Sequence, residues 1–304
     1  METAFTVRGR TLEEILHAHA QWAEGAPSGK RCVFQSETLN EAQLREVNLQ
    51  GAILRGTTLL DADLSGANLS QAIFDTADLG RTMLTGADLS GAQISESKFV
   101  YSWMAEVMLT DARVRNTTFH KANLRDGRFQ GAVIESCKFG GTILNGSALH
   151  HSRIATCDLS ESEFAGAQFF RADILSCRFY AANGAEANFS NSRLKSCDFA
   201  KADLSRARFF QTDFSGSQLD RADLHDADLR EAQLKGIMLC RANLTGARLL
   251  GANLFAADLR GADLKGARGL TSLQLCQART DESTILPNGS RGPYRRFSGA
   301  ERLC

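Results

Sequence analysis

Three prolines, two tryptophans and three tyrosines in 304 residues, with no uninterrupted apolar run near 18 residues, remove several classes of protein at once. A transmembrane helix needs such a run, so none is expected. The first residues lack a basic segment followed by an apolar stretch, so no signal peptide is visible; a cytoplasmic location with reduced cysteines is expected. Net charge is also missing: 35 Lys and Arg balance 35 Asp and Glu. That balance argues against a chain-wide basic surface for nucleic acid and against a continuous acidic one. The eight cysteines and six histidines show no CxxC or HxxxH spacing, and the histidines share no common phase, so no metal site is expected. Gly25 to Lys30 (GAPSGK) is one residue short of a phosphate loop, has Arg31 where Ser or Thr is required, and follows a helical segment.

What the sequence does have is a period. From Phe34 to Leu264 a large apolar residue stands at every fifth position, and among these 47 positions only Gly184 breaks the ladder. Two residues before each sits a small one, usually Ala (Ala62, Ala67, Ala202), otherwise mostly Ser, Thr or Cys. A five-residue period fits neither a helix nor a strand, so the chain must turn a corner about every five residues with large and small residues both facing inward. A second period lies over the first: Cys137, Cys157, Cys177 and Cys197 are spaced by twenty, beside a run of Phe99, Phe119, Phe139, Leu159, Phe179 and Phe199 in the same phase. If a coil has four sides, these residues stack in columns about 4.8 Å apart, and about twelve coils form a rod.

Units such as SGANL (Ser65 to Leu69), TGADL (Thr85 to Leu89) and RGADL (Arg260 to Leu264) resemble the pentapeptide-repeat family, with its A(D/N)LXX pattern, over residues 32–268. The resemblance implies an all-β solenoid, a right-handed quadrilateral β-helix of about 12 coils with type II or IV turns at its corners. It places the Asp or Asn outward or at the corner. Between about Ser95 and Ile154 the chain departs from the pattern: the Asp/Asn position becomes Lys98, Trp103, Met108, Arg113 and Thr118 while the inward positions persist. The outer surface has been rewritten there without disturbing the core.

Two flanking segments complete the organisation. Residues 1–31 contain an amphipathic helix, Thr11 to Glu24, opened by a Thr11/Glu14 capping box and suited to covering the first coil. Residues 269–304 begin with a short closing helix around Thr271 to Ala278 and end in a Gly- and Arg-rich stretch, Asn288 to Cys304, that reads as flexible. Short α-helical caps are thus expected at both ends.

Function is less legible. Most carboxylates sit at corners, where Asp and Asn bond nearby backbone, and no nucleophile, base and orienting group come together. The chain reads as a non-enzyme with no cofactor. The stacked cysteines read as small buried hydrophobes, since parallel side chains about 4.8 Å apart are too far for a disulfide. The acids Asp198, Asp203, Asp213, Asp223 and Asp228 alternate with Lys201, Arg206, Arg208, Arg221 and Arg230, which interrupts any DNA-like field. Lys201, Arg221 and Arg241 fall in one outward column and read as a solvated face.

In the four-sided frame Met83, Trp103 and Ile143 share one outer wall, with Tyr101 and Met108 near its edges. Such a cluster reads as a protein-binding surface. Leu270, Leu273 and Leu275 offer more apolar surface than one cap needs and are the candidate contact for a homodimer through the C-terminal element. The resulting expectation is a cytoplasmic, bacterial, rod-like scaffold for protein–protein interaction, with no direct nucleic-acid binding and no membrane association. Two rivals follow from the family resemblance: a DNA gyrase modulator acting by DNA mimicry, and a secretion-system accessory or effector.

Overall fold

A computed structural model describes residues 6–7, 9–296 and 298–302, and the chain divides into two compact units, Met1–Ala148 and Leu149–Cys304.

The first unit opens with a short antiparallel pair, β1 (Thr6–Val7) and β2 (Arg10–Thr11), leading into α1 (Leu12–Ala23). The expected capping box is present: the Thr11 hydroxyl accepts from Glu14 N–H, and Glu14 accepts from Thr11 N–H at 2.9 Å. The helix closes the open end of the first coil through side chains and backbone alike. Nδ1 of the fully buried His19 accepts the Cys32 N–H at 2.9 Å, and Lys30 N–H donates to Ala18 O at 2.8 Å. The Trp22 ring stacks on His19, and the Arg31 guanidinium lies 5.5 Å from the Trp22 centroid while bonding Gly51 O. An edge strand that would invite foreign pairing is thereby covered.

Six three-residue strands follow: β3 (Val33–Gln35), β4 (Ile53–Arg55), β5 (Ile73–Asp75), β6 (Gln93–Ser95), β7 (Arg113–Arg115) and β8 (Val133–Glu135). Neighbours pair in parallel at a register of twenty residues, Phe34 with Leu54 and Leu54 with Phe74. The same twenty-residue step joins Thr38 to Thr58, Gln43 to Asp63 and Asn48 to Asn68, five residues apart within a coil. Each coil therefore has four walls. We number them from the strand wall, so the Thr38, Gln43 and Asn48 columns mark the second, third and fourth.

The corners explain the repeat. Asp61 has φ of 58°, and Ala62 N–H donates to Leu59 O at 3.2 Å, the geometry of a type II turn; Gly66 and Ala67 repeat it one wall later. The Asp or Asn before each corner accepts the backbone N–H two residues on: Asp63 from Ser65, Asn68 from Ser70, Asp78 from Gly80, Asp88 from Ser90. A small residue must follow the turn because its side chain points inward beside the large one, and Ala62, Leu64, Ala67 and Leu69 are all fully buried.

The corner after the strand wall is different, and it accounts for the polar inward column. There the small residue's N–H makes no local turn bond and is taken instead by a side chain twenty residues later: Ala77 N–H by Ser97 Oγ at 3.1 Å, Ser97 N–H by Thr117 Oγ1 at 3.4 Å. These side chains donate to carbonyls in turn, Ser97 to Ser95 O and Thr117 to Arg115 O, and Cys137 Sγ does the same to Glu135 O.

The second unit repeats this plan. Its strands β9 (Arg153–Ala155), β10 (Asp173–Leu175) and β11 (Arg193–Lys195) pair in parallel at twenty residues. Cys157 N–H is received by Cys177 Sγ at 3.5 Å and Cys197 N–H by Ser217 Oγ at 2.9 Å. At Ser217 the corner changes: Ser217 N–H bonds Phe214 O, Ile237 N–H bonds Leu234 O, and Ala257 N–H bonds Leu254 O. Once the local turn satisfies its own donor, Ile and Ala suffice in that column. The cysteines are therefore more than the space-filling hydrophobes their sequence suggests; each occupies a hydrogen-bonding position.

Aromatic rings stack along the core of the second unit, Phe179 on Phe199 at 4.5 Å and Phe169 on Phe189 at 4.5 Å. Gly184, the break in the ladder, predicts a bend or bulge. The structure corrects this expectation: Asn183 pairs with Asp203 in register and Gly184 N–H bonds Asp203 O at 2.7 Å. The Phe164 ring supplies the missing volume, its Cε2 standing 2.0 Å from where a Gly184 Cβ would be.

A second correction concerns the C-terminal boundary. The short helix α2 (Ser272–Gln277) has the expected Thr271/Gln274 capping box, and Gln274 Nε2 donates to Ala252 O and to Leu249 O, the latter already an acceptor from Ala252 N–H. After it the coil resumes: Arg279 pairs with Asp258 and Ile285 with Asp263, with Leu286 buried. The stretch read as a flexible tail folds back, since Leu286 N–H bonds Ser290 O and Tyr294 Oη bonds Ser272 Oγ and Glu301. Leu303 and Cys304, the end of that stretch, lie outside the described residues.

Candidate functional site: an apolar wall in the first unit

On the third wall of the first unit, parallel bridges run from Asp63 to Met83, Met83 to Trp103, Trp103 to Asn123 and Asn123 to Ile143. Met83, Trp103 and Ile143 thus share one column, as expected. Met83 is 41% exposed and Trp103 59%, whereas Ile143 is half-buried. Tyr101, 51% exposed, stands at the adjoining corner with φ of 58°. Met108 lies one wall on, bridged to Asp88 and Arg128, and is half-buried. The first three exposed side chains form the centre of the patch, and Met108 and Ile143 its margin.

The corner chemistry makes this wall unusual. Met83, Trp103 and Met108 occupy positions where Asp or Asn would accept the N–H two residues on, and their side chains offer no acceptor to Thr85, Ala105 or Thr110. Each replacement forgoes a bond of about 0.5–1.5 kcal/mol. In exchange a large apolar side chain meets water, which contributes nothing to the fold.

The surroundings fit a contact surface. Val100 and Leu60 are half-buried beside Gly80, over which the Leu60 side chain leans, while Thr85, Gly86 and Ala105 keep the flanks low. On the coil after Trp103, Lys121 and Arg125 bracket Asn123; Lys121 Nζ is 5.7 Å from the Tyr101 ring centroid. Among the described residues neither Lys121 nor Arg125 has an acid within ion-pair distance, whereas Arg81, on the coil of Met83, is held by Asp61 at 2.6 Å. That pairing lowers the Asp61 pKa and raises that of Arg81.

The C-terminal candidates divide. Leu275 and Leu270 are 1% and 8% exposed and serve the cap of their own unit, so only Leu273, 65% exposed, remains on the surface. Burial thus corrects the three-residue dimer contact to one residue. Sequence reasoning missed Leu250 and Phe255, exposed corner residues of the second unit, and Met238, which stands exposed at an Asp/Asn position. Met238 carried the same signal as Met83 and could have been found by it.

The second unit also holds a groove of about 470 Å³ lined by Asp220, Arg221, Cys240, Arg241, Arg260, Asp281 and Ser283. Its polar groups are mostly committed to structure. Arg260 clamps Asp258 through two nitrogens, which holds the Asp258 carboxyl at about 2, and burial with the neighbouring Asp258 pushes the Cys240 thiol up to about 11. The Cys240 thiol faces the Asp258 carboxylate, which Arg260 already engages. Among the described residues no group of His, Cys, Asp and Glu is placed to hold a metal ion, and no helix is long and apolar enough to cross a membrane.

The family profile described as pentapeptide repeats matches in eight copies between residues 32 and 268. The chain belongs to the pentapeptide-repeat family. Solved pentapeptide-repeat structures resemble it further. HetL, involved in heterocyst differentiation regulation in the cyanobacterium Nostoc sp. strain PCC 7120, is 26% identical over 92% of this chain and 98% of its own, with a TM-score of 0.37. Rfr23 from Cyanothece 51142 is 31% identical over 30% of this chain and 62% of its own, with a TM-score of 0.27. QnrB1, a plasmid-mediated fluoroquinolone resistance protein, is 18% identical over 78% of this chain and 90% of its own, with a TM-score of 0.27. At such TM-scores no argument rests on these likenesses; the repeat and its register carry the assignment. No curated protein matches the sequence. Pentapeptide-repeat proteins are generally not enzymes.

Proposed function

We propose that this pentapeptide-repeat protein is a non-catalytic scaffold that binds another protein through the third wall of its first unit. One observation carries the reading: at Met83 and Trp103 the wall gives up corner hydrogen bonds and exposes large apolar side chains in one column. A buried aromatic anchor ringed by lesser contacts is the usual core of a protein interface. The same reading keeps the chain in a bacterial cytoplasm, where its buried thiols stay reduced.

DNA mimicry has weaker support. In the second unit the column Asp203, Asp223, Asn243 and Asp263 is acidic, but the corner beside it carries Lys201, Arg221 and Arg241. Opposite charges so close shorten the reach of the field.

Affinity capture with the full chain and with Trp103→Asn tests the proposal. Asn restores the corner acceptor, so the variant should unfold at the same or a higher temperature while losing a protein retained by the wild type. If every retained protein persists in the variant, this wall is not the binding surface.

A further inference from the structure

The geometry points to an acidic, amphipathic protein segment as the occupant of the Trp103 wall; this deepens the binding reading and rests on it. The apolar anchors Met83 and Trp103 lie on consecutive coils, and on the next coil Lys121 and Arg125 bracket the same wall with no acid partner among the described residues. Tyr101 and Lys121 share a corner, the cation 5.7 Å from the ring centroid, so the positive charge reaches the edge of the apolar patch. The acids nearest in the frame, Glu106 and Asp126, stand at the corner away from Tyr101.

On the coil of Met83 the charge is already neutralised by the Arg81–Asp61 pair. A segment lying along the column therefore meets apolar surface at one end and two available cations at the other, which calls for apolar side chains followed by carboxylates. The half-buried Ile143 beyond Asn123 extends the apolar contact past the cations. Single-stranded nucleic acid would also find an aromatic and two cations, but it needs a basic groove to track its backbone, and here the two cations lie on one coil only.

The test uses the full chain and fluorescent peptides of about 15 residues that share one Leu, Phe and Trp content and differ in net charge, acidic, neutral or basic, together with an oligothymidylate of similar length. Anisotropy should show the acidic peptide binding at least tenfold more tightly than the neutral one at low salt, with the gap closing at high salt. The Lys121→Glu/Arg125→Glu double variant should erase the preference, and Trp103→Ala should weaken acidic and neutral peptides alike. Equal affinity for all charges, indifference to the charge reversal, preference for the oligothymidylate, or no binding of the acidic peptide overturns the inference. The wall reading is separable: it falls if Trp103→Asn retains every captured protein, and it survives if Trp103→Ala weakens binding while the charge reversal does not.

Discussion

Replacing Gly184 by alanine adds one carbon where the structure leaves no room. The added Cβ would stand 2.0 Å from Phe164 Cε2 and 2.5 Å from Cζ. The Phe164 ring cannot easily swing away, because Phe169, Phe179 and Phe189 surround it with centroids at 5.8, 5.5 and 6.1 Å. Gly184 does not lie in the left-handed region, so the backbone accepts alanine and the reduced freedom of the unfolded chain favours the variant by about 0.4–1 kcal/mol. Overpacking opposes this by about 1–3 kcal/mol and wins. The net loss of about 1–2 kcal/mol lowers the melting temperature by about 2–8 °C for a unit of this size, measured by far-ultraviolet circular dichroism. Shrinking the ring in Phe164→Leu/Gly184→Ala should recover part of the loss, giving a favourable coupling of about 0.5–3 kcal/mol. A neutral or stabilised Gly184→Ala, or strict additivity of the two changes, would refute the claim that Phe164 fills the gap in the ladder.

Burial holds the His19 pKa below its ordinary value of 6.5, so below that pH the unfolded chain takes up a proton that the folded chain resists. Stability from the N-terminal cap is therefore fully present above pH 6.5 and declines as the pH falls through the folded value; the protection factor of the Cys32 N–H, which removes the intrinsic slowing of exchange at lower pH, should fall from pH 7 to 5.5 in the wild type, and His19→Gln should flatten that dependence. Cys177→Ala removes the sulfur that accepts the Cys157 N–H and should cost about 1–3 kcal/mol, whereas Cys177→Ser keeps an acceptor and should cost less, a difference that chemical denaturation will resolve. Among the described cysteines, thiol labelling of the native protein should reach the exposed Cys276 first and the buried Cys32 and Cys177 far later, since burial pushes the Cys32 thiol up to about 12 and the Cys157 contact together with burial pushes Cys177 higher still. If the exposed Leu273, Leu250 and Phe255 join two copies, Leu273→Asp should convert a dimer to a monomer by light scattering; a wild-type monomer at tens of micromolar would show that α2 is only a cap.

The walls, the inward ladder and both helical caps were legible because each rests on spacing alone. A fivefold phase fixes what faces inward, and Thr11/Glu14 and Thr271/Gln274 announce helix starts. The polar role of Ser97, Thr117 and Cys177 was not legible, because it depends on which corner lacks its own turn bond, and residue order does not mark that corner. At Gly184 the sequence offered two ways to avoid a void, a shifted backbone or filling by a neighbour such as Phe164, and the expected bend was the wrong one because spacing alone does not rank them. The resumed coil after α2 hid because Thr284 and Leu286 repeat the small and large inward pair out of phase, with Ile285 opposite Asp263 twenty-two residues earlier. On the Trp103 wall, the identities of the side chains were visible in sequence, but the absence of acid partners for Lys121 and Arg125 among the described residues required coordinates.

The twenty-residue register of the first unit makes its surface a set of addresses that shift independently of its core. Removing residues 85–89 would leave every large and small inward residue in phase, and the coils could close as before. Trp103 would then stand over Asp78 on the second wall instead of over Met83 on the third, and Met83 would be parted from the rest of the patch with no residue of it altered. In this architecture a five-residue slip keeps the inward ladder in phase yet is decisive for recognition, so the length of chain between two surface residues specifies a binding face as much as the residues themselves do.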